Sequence, residues 1–212
     1  MSVRRTGVHF PRRAWFIAFG YFVVCWLIAW ATGALSRVLD EPLVGEGQTS
    51  ESGWLFWGAA SLIVVIVGYW YVWPMGTFTN GRPLTVWTWV FGLLWGVSEG
   101  LLLLSVQTLI DGWFDTVWVV VAVTFVVLST DIGLWHALFW DWEVAPSHNI
   151  EVWNLRKVLF VHTPNLIVST TFLTLYDNAA LFVLLQTIAL VGSAVHMRFP
   201  APTATPEKVV LR

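Results

Sequence analysis

Six runs of mostly apolar residues, each about 20 or more long, constrain this chain more than any other feature. A helix rises about 1.5 Å per residue and a bilayer's hydrocarbon core is about 30 Å thick, so roughly 20 such residues are what one crossing needs. The runs extend from about Ala14 to Ser36, Trp54 to Trp73, Leu84 to Ile110, Trp113 to Trp140, Ile150 to Leu175 and Asn178 to Met197. The expected fold is all-α: a polytopic integral membrane protein with a six-transmembrane-helix bundle. Residues 1–13 form a basic cytosolic N-terminus, 14–198 the membrane domain, and 199–212, with three prolines and no periodicity, a disordered cytosolic tail. The acidic, Gly-rich stretch from Asp40 to Gly53 reads as a mobile loop.

Composition removes the competing classes. Hydrophobic residues make up 57% and charged residues 11%, where a globular chain carries about 25% charged. The formal net charge of −2 gives no basic face, so no nucleic-acid partner is expected. The single cysteine, Cys25, cannot form an internal disulfide. The first apolar run follows Arg4, Arg5, Arg12 and Arg13, as a signal peptide would, but it exceeds the roughly 7–15 residues of a signal core. It is read as a retained first helix.

Basic residues fix the expected orientation. With the N-terminus inside, the four N-terminal arginines, Arg82, Arg156, Lys157, Arg198, Lys208 and Arg212 are cytosolic, and only Arg37 is outside. Asp40, Glu41, Glu46, Glu51, Asp111, Asp115 and Asp177 fill the opposite side. Both termini are therefore expected in the cytosol and the protein in the cell membrane.

Ionisable groups inside a membrane cost several kcal/mol, so each needs a partner or a task. Glu99 lies in the middle of the third run, Asp131 in the fourth and His162 in the fifth, with Asn165 one turn deeper. These four are expected to converge on one cavity in the cytosolic half, with His136 nearer its mouth. His162, Asn165 and Ser169 share a helix face. Pro164 supplies no N–H and crowds the carbonyl of Phe160, which predicts a kink.

Gly92, Gly96 and Gly100 form a small-residue ridge along which another helix can approach closely. The ridge turns Glu99 toward the bundle, and it is also a candidate contact for a second copy or a partner helix. Trp95 precedes Glu99 by one turn. Of the 16 tryptophans, most fall at the two ends of the runs as interfacial belts. Trp95 is the one left beside the candidate site.

Other motifs are mostly excluded. No HxxxH, HExxH, GxSxG or glycine-rich phosphate loop occurs, and no cofactor is expected. A metal set of His136, His148 and His162 with a carboxylate stays geometrically open. In the loop that follows the fourth run, Asp141, Glu143 and His148 are candidates for a lid or proton entry, and Asn149 for the N-cap of the next helix. Arg82 is read as a positive-inside residue, with a lipid phosphate or a substrate anion as the other reading.

These groups suit an intramembrane enzyme or binding protein for a hydrophobic small molecule, an isoprenoid- or sterol-like lipid. Glu99, Asp131 and His162 would form the acid/base set of an isomerase or cyclase. Trp95, Asn165, His136 and Ser169 would contact substrate. A proton-coupled transporter, or an accessory subunit of a membrane complex, is the alternative.

Overall fold

The computed structural model describes residues 5–77, 79, 81–145 and 154–211. Its six long helices, each apolar enough to cross a membrane, are α1 (Pro11–Ala31), α3 (Ser52–Val72), α4 (Val86–Asp111), α5 (Val117–Glu143), α6 (Leu155–Tyr176) and α7 (Ala179–Met197). A short helix, α2 (Ala34–Asp40), follows α1 after a left-handed turn at Gly33 (φ 80°). Phe16, Leu27, Leu134, Leu138 and Phe160 point outward, exposed. An apolar exterior of this extent is what lipid covers, and the bundle is consistent with a multi-pass membrane protein.

The central pair is α4 and α7: 56% and 61% of their most apolar windows are buried, against 22–28% for α1, α3 and α5. The glycine ridge explains the pairing. Gly92, Gly96 and Gly100 lie against Val191, Thr187 and Val183 of α7, and a Cβ at Gly96 would sit 2.5 Å from Thr187 Cα. The expected close approach is present, but α7 of the same chain occupies it. The ridge is therefore not a free surface for a second copy or partner helix, because the backbone of α7 already fills it.

Three helices change pitch at one end of the bundle. Ile66–Val72, His136–Trp140 and Val158–His162 are π-helical, the wider form in which N–H bonds reach back five residues. In α6 the cause is Pro164, whose ring crowds the carbonyl of Phe160, and the chain widens rather than simply bending. In α3 the π stretch contains Gly68, where an added Cβ would lie 3.4 Å from Val161 Cγ1 of α6. No proline lies within the π stretch of α5.

The ends of the chain differ from expectation. Instead of a structureless tail, β2 (Glu207–Leu211) pairs antiparallel with β1 (Arg5–His9), Arg5 opposite Leu211 and His9 opposite Glu207. The segment after α7 is held beneath α1 and α4. Trp15 Nε1 donates to Pro200 O (2.8 Å), Thr88 Oγ1 donates to Phe199 O (3.0 Å), and Phe199 stacks on Phe91. Three prolines excluded a helix, but a strand next to a partner strand has other sources of order. Arg82 also takes a role that neither sequence reading gave it. It is buried, donates to Glu207 (Nε, 2.7 Å) and to Met197 O (3.2 Å), and so clamps the tail to the end of α7.

At the opposite end, the loop expected to be mobile is tied down at Gln48. Its Nε2 donates to Tyr176 O (2.8 Å), and its Oε1 accepts from Asn178 Nδ2 (2.8 Å) and Gly45 N (2.7 Å). Arg37 pairs with Asp177 and donates to Thr108 Oγ1 and Gln107 Oε1, which holds a cation at the end of the bundle where acidic residues predominate.

Candidate functional site

The interior near the three π segments holds a cavity of about 40 Å³, mostly apolar in its walls, whose lining includes Trp95, Glu99, His136, His162 and Asn165. Five of the seven expected site residues thus meet there. Ser169 stands one turn behind, its Oγ donating to Asn165 Oδ1 (2.9 Å). Asp131 does not join them. It is solvent- or lipid-exposed on the other side of α5 and lines a separate lateral groove of about 430 Å³ between α1, α4 and α5. The expected single cavity is therefore two spaces, and Glu99 belongs to both. Five residues separate Asp131 from His136, and on a helix that spacing points them to different faces.

Glu99 is 8% exposed. Its Oε2 accepts a 2.6 Å hydrogen bond from Tyr21 Oη, so the carboxyl is held from the groove side by α1. Tyr21 in turn stacks on Trp135 (centroids 5.1 Å, 21° between planes), and Trp135 packs on Phe139 at 4.7 Å. The groove floor is thus a carboxyl and a phenol, and its far wall is aromatic.

On the cavity side, two hydrogen-bonded pairs depend on the π geometry. His136 Nδ1 meets Asp141 Oδ1 at 2.7 Å. Residues five apart would diverge on an α-helix, but the wider turn of a π stretch, bonded i to i+5, brings them closer to one face. Asp141, placed by sequence in a loop, is instead a buried residue of α5's last turn and lines the cavity. His162 Nδ1 lies 3.2 Å from Tyr69 Oη, contributed by the π stretch of α3. A small side cleft of about 170 Å³ between α5 and α6 is lined by both histidines.

A second polar chain crosses from α6 to α7. Ser169 donates to Asn165, and Asn165 Nδ2 donates to Gln186 Oε1 (2.9 Å) and sits 3.4 Å from Tyr69 Oη. Gln186, Tyr69 and Tyr21 were not among the residues singled out from sequence. Gln186 was within reach of the same criterion, since it is an uncharged polar residue in the middle of an apolar run. Trp140, assigned to an interfacial belt, is buried against Trp95 at 5.2 Å and lines the cavity, so Trp95 is not the single tryptophan at the site.

Of the lid candidates, Asp141 is inside. Glu143 makes a mostly exposed ion pair with Arg13 (2.7 Å), which contributes little. His148 and Asn149 lie outside the described residues, and Asn154 caps α6, its Oδ1 accepting from Lys157 N (3.3 Å). Among the described residues, no three His, Cys, Asp or Glu side chains are grouped to hold a metal ion.

The fold and site together define a six-helix apolar bundle with a buried carboxyl shared between an internal cavity and a lateral groove. No family model, curated protein or solved structure matches the chain.

Proposed function

We propose that this protein binds a hydrophobic small molecule, of isoprenoid- or sterol-like character, in the lateral groove between α1, α4 and α5, and acts on it by acid/base chemistry. One observation carries the reading: Glu99 and Asp131 face the same groove, whose remaining walls are apolar and aromatic. About 430 Å³ falls within the roughly 300–1,000 Å³ of small-molecule sites. A groove open between membrane helices admits a lipid sideways from the bilayer.

In this reading Glu99 and Asp131 exchange a proton with the ligand, Tyr21 orients Glu99, and the faces of Trp135 and Tyr21 stabilise positive charge developing on an alkene. Double-bond isomerisation or cyclisation needs no more than this: one proton delivered to a carbon and one removed from another. His162, Asn165 and Ser169 do not touch the groove ligand. They hold the far side of the Glu99 region through Tyr69 and Gln186.

Gly20 supplies the test. It lines the groove, and a Cβ there meets nothing within 4 Å. Gly20→Leu therefore starts its side chain in open space and directs it into the groove. Lipid co-purifying with the protein in mild detergent, identified by mass spectrometry, is expected to fall about tenfold in this variant, the effect of losing roughly 1.4 kcal/mol of binding. Unchanged lipid content in a folded Gly20→Leu protein refutes the assignment.

A further inference from the structure

The groove reading leaves unexplained why a cavity too small for a lipid is lined by so many polar groups. Three of those groups are buried and have no hydrogen-bond partner among the described residues: Trp140 Nε1, Gln186 Nε2 and Ser193 Oγ. The residues are 1%, 3% and 0% exposed, and all three line the cavity. Indole and amide N–H groups only donate, and a hydroxyl both donates and accepts. Buried polar groups in folded proteins are nearly always satisfied, and ordered water is the usual partner when protein is not.

Size and shape agree with water. Each water needs about 10–15 Å³ of such volume, so about 40 Å³ accommodates about three. Gln186 and Ser193 are seven residues apart on α7, which puts them on one face and about 10 Å apart along the axis. Two of the unpartnered groups are therefore carried by α7 positions about 10 Å apart along the cavity wall. Gln186 lies level with Gly100, beside Glu99, because a Cβ on Gly100 would touch Gln186 Cβ at 3.3 Å. Ser193 lies two turns nearer the end that carries the paired termini, and the His136–Asp141 pair lines the same cavity. Beyond Glu99 in the other direction, Leu101, Leu104, Leu128, Leu173 and Phe182 form a packed apolar layer before the Arg37 cluster.

We infer that the cavity holds a file of about three waters that carries protons between the His136–Asp141 pair and Glu99, connecting Glu99 to the end of the bundle that bears both termini. Each water accepts one proton and passes one on, so the file itself is unchanged. The pair takes the proton up and Glu99 receives it. Tyr69 and His162 stand along the wall, and Tyr21 and Asp131 face Glu99 from the groove. The inference rests on the groove reading only for the use to which the proton is put.

Two measurements on the full chain in lipid nanodiscs test it. In hydroxyl-radical footprinting with isotopically labelled water, Trp95 and Trp140 become oxidised with label from bound water. Cys25, equally buried but off the cavity and intrinsically more reactive, stays unlabelled. Replacing the two α7 groups together, Gln186→Leu with Ser193→Val, lowers the tryptophan labelling about tenfold by removing the partners that a water needs. Tryptophan labelling no faster than that of Cys25 overturns the inference. The second readout is the infrared carboxyl signal of Glu99, identified by its loss in Glu99→Gln, after a pH jump. Its response slows about tenfold or more in Asp141→Asn and in the double variant, as for a lost proton relay. A Glu99 that does not respond, or responds at the wild-type rate in both variants, overturns the path. Neither readout involves the groove ligand, so failure here leaves the Gly20→Leu result standing, and failure there leaves the water file standing.

Discussion

Gly96→Ala is the most demanding test of the α4–α7 seam. The added methyl lies 2.5 Å from Thr187 Cα, 3.0 Å from its carbonyl oxygen and 3.2 Å from its carbonyl carbon. Carbon atoms settle about 3.5–4.0 Å apart, so the two helices must part locally by roughly 1 Å. A gap of that size forfeits a quarter to a half of the dispersion energy of neighbouring contacts, and overpacking of this kind costs about 1–3 kcal/mol. The obstacle is backbone, which cannot rotate aside, so the cost falls at the upper end. Helix propensity returns about 1 kcal/mol to alanine, which leaves a net loss of about 2 kcal/mol.

The neighbours grade the effect. At Gly92 the methyl meets Val191 Cα at 2.9 Å, at Gly100 it meets Val183 Cα at 3.2 Å, and at Gly20 it meets nothing within 4 Å. The losses should fall in that order: about 1 kcal/mol at Gly92, near zero at Gly100, and zero or a slight gain at Gly20. Reversible unfolding in mixed dodecyl maltoside and SDS micelles, followed by near-UV circular dichroism, reads the series. A Gly96→Ala protein within about 0.5 kcal/mol of wild type, the scatter of innocuous substitutions, would falsify the seam, and so would an inverted order.

Other expectations concern the termini and the polar chain. Arg82→Ala removes the guanidinium from Glu207, which keeps His9 as a partner, and leaves the carbonyl of Met197 without its donor, and should cost about 1–3 kcal/mol. Arg82→Lys should recover less than half of this, since an ammonium cannot reproduce the forked contact, and thermal unfolding measures both. Burial, and after it the Arg82 guanidinium, hold the His9 imidazole below its usual range, against the opposing pull of Glu207 and the Val144 carbonyl. The folded form therefore prefers neutral His9. The stability it contributes is complete above the free value of about 6.5 and is lost as pH falls below it. Amide exchange in β1, corrected for intrinsic rate, should rise with acidification in wild type and much less in His9→Gln. Asn165→Leu leaves Gln186 Oε1 and Ser169 Oγ without their partner and should lower stability by about 1–3 kcal/mol, whereas Ser169→Ala costs about 1. Calorimetry in detergent measures both, and an Asn165→Leu loss smaller than that of Ser169→Ala would contradict the Ser169-to-Gln186 chain.

The helices were legible because each apolar run is long, and length needs no tertiary information. The glycine ridge was legible as a surface but not in its partner: spacing says that a helix comes close, not which one. Pro164 announced a disturbance, yet only the structure distinguishes a π turn from a bend. The π stretch of α5 carries no such sign, and without it His136 and Asp141 fall on different faces and Asp141 reads as a loop residue. Asp131 and Glu99 were both recognisable as costly membrane carboxyls. Which space each faces depends on helix rotation, which a run apolar all round does not record. The terminal strands were missed because the pairing joins residues about 200 apart, beyond the reach of any local pattern.

The α4–α7 seam also dictates an order of assembly. The three glycines of α4 wait for α7 residues synthesised roughly 80–100 positions later, Gly92 for Val191, Gly96 for Thr187 and Gly100 for Val183, and the first strand waits longer still for the last. Until α7 emerges from the ribosome, α1 can pack on α4, and α3 and α5 on α6, but the glycine face of α4 has no partner and Gln186, which completes the Asn165 chain, does not exist. The α4–α7 seam therefore closes last. Chains truncated before Ala179 should persist only as substrates for quality-control proteolysis, however well their individual helices insert.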